Sequence, residues 1–184
     1  MQFRLIYEGP LKSNRGPSDK QRIRRAIHAQ LKELCARPPL QPFQRLVAAR
    51  HERATLHDLS GFTFVPIITE RLRHVAEIDI TLLTPEEPGR TITQGGDLDN
   101  RMKTLLDALR MPKVVDELPK GDFASEHESP FYCLLEDDNL ISRLSVSADR
   151  LLRPVPDKAH VLAVIQVTPR PTYSTIGETQ WVSI

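Results

Sequence analysis

Residues 94–111, QGGDLDNRMKTLLDALRM, constrain the fold of this chain more than any other stretch. Gly95–Gly96 allow a sharp backbone turn. Beyond them Met102, Leu105, Leu106 and Leu109 recur at i, i+3, i+4 and i+7, the period of an amphipathic helix spanning Asn100 to about Arg110. Asp99 suits the N-cap of that helix. Asp99, Lys103 and Asp107 fall at i, i+4 and i+8 on a second face, beside an apolar stripe that serves either the core or an interface with another chain. Asp97 precedes Asp99 by two, so in an extended segment both carboxylates project to one side. A capped helix with one surface ion pair, worth under about 1 kcal/mol, explains Asp99, Lys103 and Asp107 but gives Asp97 and the glycine pair no role. A calcium loop of the EF-hand type also begins D-x-D, but it needs glycine at its sixth position and glutamate at its twelfth. Met102 and Ala108 stand there.

The remaining pattern predicts an α+β chain with a mixed β-sheet and two main helices. FRLIYEG (3–9) reads as an opening strand, followed by a loop rich in turn formers. Ser18 with Gln21 resembles a capping box, and Ile23, Ile27, Leu31 and Leu34 mark one face of a helix running to Cys35. Arg22 and Arg25 fall off that stripe, toward solvent or a ligand. Residues 42–50 fit a strand or a helix. Strands are expected at 61–69, 73–84, 140–148 and 160–168. Between them lie a Pro- and Gly-rich loop (84–96) and a long excursion (111–135) with little periodicity. The expected organisation is one domain over 1–168 with an irregular tail over 169–184.

Charge is divided unevenly. Twelve basic residues against four acids give residues 1–53 a net charge of +8, whereas residues 97–138 hold eleven acids and five bases, a net −6. A basic arm and an acidic centre point to a polyanionic partner together with a cation site. Cys35 and Cys133 stand far apart, with neither a disulfide framework nor zinc spacing, and read as buried thiols in a reducing cytoplasm. No apolar run reaches membrane-spanning length and the N-terminus lacks a signal-peptide pattern, so neither a membrane nor secretion is expected. His51, His57 and the other histidines show no ligand spacing and read as surface or core residues.

A second acidic cluster, Glu136-Asp137-Asp138 in LLEDDNLI, stands directly before a strand. Adjacent carboxylates repel, and a turn without a ligand is more cheaply built from Asn, Gly or Ser. Two acidic clusters at element starts suit a hard cation such as Mg²⁺, which takes a few carboxylates plus substrate phosphate. Such an ion stabilises charge developing on a phosphodiester, and Lys103 can neutralise the same phosphate oxygens.

The blocks GDLDNRMKTLLDAL and EDDNLI resemble the RusA family of Holliday junction resolvases, whose signature is D-L-D-N-x-x-K-x-x-x-D-A-L followed by D-D and a strand. Asp97, Leu98, Asp99, Asn100, Lys103, Asp107, Ala108 and Leu109 fill every fixed position of the first block. GPLKSNR also resembles, more weakly, the family's loop after the first strand. The resemblance implies a RusA-like fold and a homodimeric, Mg²⁺-dependent endonuclease for branched double-stranded DNA, with Mn²⁺ able to substitute and no small-molecule cofactor. It maps the metal ligands to Asp97, Asp99 and Asp138, makes Lys103 an essential basic residue, and sets Asp137 and Asp107 beside the site. Lys12, Asn14, Arg15, Arg22 and Arg25 are the expected DNA contacts. Two features depart from the pattern. The interval between DAL and EDD is long and contains Asp116 and Glu117 as rivals to Asp138, and Thr93–Gly96 replace a basic run that can precede the first aspartate. A non-cleaving branched-DNA-binding protein and a metal-stabilised dimeric interaction protein are the alternative functions.

Overall fold

The computed structural model describes residues 1–13, 16–86 and 97–172, with the backbone alone at Asp97. Strand β1 (Phe3–Pro10) leads into helices α1 (Pro17–Cys35) and α2 (Gln41–Ala48). Strands β2 (His57–Leu59), β3 (Phe62–Ile68) and β4 (His74–Thr84) follow, then helix α3 (Asp97–Leu109). Strands β5 (Phe131–Leu135), β6 (Ile141–Arg150) and β7 (His160–Pro171) complete the described elements.

The expected α+β class is present, but the strands form two mixed sheets. One has the order β1-β7-β4-β6, antiparallel except for the parallel pair β4–β6; the other has the order β2-β3-β5, with β3 and β5 parallel. Sequence pattern explains each. In the larger sheet apolar residues alternate: Leu5 and Tyr7, then Ala76, Ile78, Ile80 and Leu82, then Val161, Ala163, Ile165 and Val167 are all buried. That alternation leaves one face on the core and one face wet. β5 is instead continuously apolar and buried along its whole length, the pattern of a strand covered on both faces. It was missed inside the expected excursion because a five-residue apolar run carries no period with which to choose between strand and helix.

Among the described residues three α-helices stand where two main ones were expected, since residues 41–48, within the stretch that fitted a strand or a helix, form α2. The Ser18–Gln21 capping box does not form: Pro17 opens α1 after Gly16, with no side-chain cap. Gln21 is buried, and its Oε1 accepts from Arg24 at 2.7 Å. The tail boundary also moves, because Arg170 and Pro171 pair with Val75 and His74 in β7, while residues 173–184 lie outside the described set. The apolar stripe of α3 belongs to the core of this chain: Met102, Leu105 and Leu109 are buried there and Leu106 packs against it. Cys35 and Cys133 are buried, as expected, and burial pushes both thiols up to about 12.

Candidate functional site

Helix α3 carries the site and is fastened by its C-terminal end. Arg24, at 1% exposure, reaches across from α1 and spreads its guanidinium over that end. Nη2 donates to the Asp107 carbonyl at 3.1 Å, Nε to the Arg110 carbonyl at 3.4 Å, and Nη1 to Gln21 Oε1 at 2.7 Å. A cation here meets the negative end of the helix dipole and carbonyls with no partner inside the helix. Burial lowers the guanidinium pKa, yet the group remains a cation at neutral pH. A second link joins the Asp107 carboxylate to Lys20 Nζ at 2.6 Å. Asp107, expected beside a metal, is therefore engaged with α1, two helical turns beyond Asp99 and about 12 Å along the axis.

At the other end of the helix the motif residues face water. Asp99 and Lys103 are exposed, one turn apart, and neither has an ion-pair partner among the described residues. Asp99 is not an N-cap, because the helix already begins at Asp97. The backbone there is helical rather than extended, so the expected projection of two carboxylates from a strand-like segment does not hold. The side chain of Asp97 and the Gly95–Gly96 turn lie outside the described residues. Between the motif acids Arg101 is buried, its Nη2 3.8 Å from Glu86 Oε2. This cation was missed in the sequence, although its i+4 spacing from Asp97 was available.

The three acids after β5 have three different environments. Glu136 Oε2 accepts from the Glu70 amide at 3.0 Å, and the Glu136 amide donates to the Ile68 carbonyl at 2.9 Å, tying the end of β5 to the end of β3. Asp137 caps the short 3-10 turn of residues 138–140, accepting from the Asn139 amide at 3.1 Å, and it also pairs with Lys113. Asp138 is exposed and has no ion-pair partner among the described residues. Its rival Asp116 lies exposed in a 3-10 turn, next to Glu117, which pairs with Arg110 at 2.8 Å. A strand does follow EDD, beginning at Ile141. Among the described residues no three of His, Cys, Asp and Glu come together in a metal-holding group.

The basic N-terminal third is less free than its composition suggests. Arg22 pairs with Asp19 at 2.6 Å and donates to the Pro10 carbonyl at 3.0 Å. Arg25 meets Glu128 at 2.7 Å and Asp122 at 2.8 Å, and Lys32 donates to the His127 carbonyl at 2.6 Å. The bond to Glu128 is the main reason the Arg25 guanidinium pKa rises. So α1 uses Arg25 and Lys32 to hold down residues 122–128; Arg22 is exposed, on the solvent side expected for it, whereas Arg25 is turned onto its own chain rather than toward a ligand. A cleft of about 430 Å³ remains between them and residues 119–122. Lys12 is exposed and has no ion-pair partner among the described residues, while Asn14 and Arg15 lie outside them. His28 is a core histidine: its Nδ1 accepts from the Tyr132 amide at 2.8 Å, and its ring stacks on Phe131.

No described helix is long and apolar enough to cross a membrane. No protein-family model, curated protein or solved structure matches the chain.

Proposed function

We propose that this chain is a Mg²⁺-dependent, structure-selective endonuclease of the RusA kind, acting on branched DNA in the cytoplasm as a two-fold pair. The observation that carries the reading is the division of labour on α3. Its apolar stripe and Asp107 are consumed by the fold, while the exposed Asp99 and Lys103 of the D-L-D-N-x-x-K block are left to chemistry. The donor set suits the ion: Asp99 and Asp138 are solvent-facing carboxylates without ion-pair partners among the described residues, and carboxylate oxygens are what Mg²⁺ prefers. Asp97, Asp99 and Asp138 would hold it, and when bound it would stabilise the charge that builds on a phosphodiester under in-line attack. Lys103 places an ammonium one turn from Asp99, where it balances a non-bridging phosphate oxygen. Glu136 and Asp137, occupied by Glu70 and Lys113, fix the turn that presents Asp138.

The test is incubation of the purified protein with end-labelled four-way, flap and linear DNA, with and without Mg²⁺. Metal-dependent cutting of the four-way substrate in paired strands is the expected result. Tight binding of branched DNA without cutting would favour the non-cleaving alternative, and absence of any DNA binding would overturn both.

A further inference from the structure

Strand β6 lies at the end of the larger sheet, paired with β4 on one side and with no described residue on the other. It is ten residues long, and every residue from Ser142 to Ser145 is exposed. Leu144, at 43% exposure, stands on the core-facing side of the sheet beside Ile78. Its protection is partial: a bulge sets Ser142 out of register, and Arg143 turns its charge toward Asp79 of β4 at 2.9 Å, but from Arg143 to Asp149 the pairing with β4 is regular and there is no proline or lysine. The opposite edge of the same sheet is treated differently. There the Gln30 side chain takes both backbone groups of Ile6, accepting from its amide at 2.8 Å and donating to its carbonyl at 2.7 Å. In the smaller sheet, β5 is met by Arg110 and Met111, and β2 has only three residues. The long open edge among the described residues is therefore β6.

We infer that β6 pairs antiparallel with β6 of a second copy of this chain, about a two-fold axis at Val146. The argument is one of register. Directly opposed residues in an antiparallel pair share a face, and a slip of one residue would join a wet face to a core face. Leu144, Val146 and Ala148 lie on the core side, level with Ile78, Ile80 and Leu82; Arg143, Ser145, Ser147 and Asp149 lie on the wet side. Only registers that set odd against odd keep these faces matched. Among them, the one centred on Val146 sets Arg143 opposite Asp149 of the partner subunit, twice by symmetry, and Leu144 opposite the partner's Ala148. A register two residues to either side loses that charge match. The strand is thus self-complementary in both its charge and its apolar face, which an isologous contact requires. This surface supplies the two-fold pair of the nuclease reading, now that the α3 stripe is committed to the core, but it does not depend on that reading.

Cross-linking tests it whether or not the protein cuts DNA. In full-length Val146→Cys the two thiols should face each other within disulfide reach and give a covalent dimer under mild oxidation. Ile6→Cys, on the edge closed by Gln30, should give none; Cys35 and Cys133 are buried and stay silent. By sedimentation, Asp149→Arg and Arg143→Asp should each raise the dimer dissociation constant about tenfold or more, whereas their equimolar mixture should restore dimer through matched charges. Equal cross-linking of Ile6→Cys and Val146→Cys would overturn the proposal, as would a mixture no more dimeric than its components. So would a wild-type protein that stays monomeric at about 100 μM, roughly −5.5 kcal/mol of association.

Discussion

Replacing Arg24 with Met should cost about 2–4 kcal/mol of stability, because it removes the cation that fastens α3 to α1 while nearly preserving volume. The figure follows from its bonds. Two are short, to Gln21 Oε1 at 2.7 Å and the Asp107 carbonyl at 3.1 Å, and the third is weak at 3.4 Å. Hydrogen bonds to a charged donor contribute about 1.5–3 kcal/mol each, so the good pair is worth roughly 3–6 kcal/mol. Relief from keeping a guanidinium out of water returns part of that. What remains is dominated by the carbonyls and the Gln21 amide left buried without a donor. Urea unfolding followed by circular dichroism measures the loss, and an unchanged m-value would show that the same surface is still buried. Because the penalty resides in orphaned acceptors, Gln21→Leu in the Arg24→Met background should cost less than in the wild type. A loss below about 1 kcal/mol, or strict additivity of the two changes, would refute the assignment of Arg24 as the fastening of the helix.

Four further outcomes test the site and its setting. Asp99→Asn and Lys103→Ala should each lower Mg²⁺-dependent cutting by about 100-fold or more while DNA binding survives, and Asp138→Asn should match them whereas Asp116→Asn should not; cleavage assays on a four-way junction decide both. Lys12→Ala should lower the slope of log affinity against log salt by about 0.9. Arg25→Ala should instead loosen residues 122–128, seen as faster amide exchange there, because its charge is already spent on Glu128 and Asp122. Burial holds His28 below its usual value of 6.5, so the unfolded chain binds the extra proton first as pH falls. The contribution of a neutral His28 is intact above about pH 6.5 and declines below it; His28→Gln, which keeps an acceptor for the Tyr132 amide, should flatten thermal stability between about pH 7 and 5.

Local periodicity made α1, α3 and β4 legible, because a 3.6-residue or two-residue repeat reports directly which face is buried. It also identified the α3 stripe, though not whether core or partner covers it, since both are equally apolar. What could not be read were partners distant along the chain. Arg22 and Arg25 looked like a grip for polyanions, and nothing near them in sequence shows that Arg25 meets acids about a hundred positions away. For the same reason Arg24 and Arg101, both buried, were not singled out: their environments are made by other elements. The helix start was set at Asn100, about one turn too late, because the first helical turn and an extended approach present the same short sequence.

The grip of Gln30 on Ile6 also governs how far this sheet can grow. A sheet with two open edges can add copies at both ends, and nothing in its geometry stops the growth short of a fibre. With β1 capped at Ile6 by a side-chain amide, β6 is the long edge among the described residues best able to template another strand, and pairing β6 with itself would use it up. Removing that amide, by Gln30→Ala, would turn a unit that terminates at two into one whose pairs can join end to end.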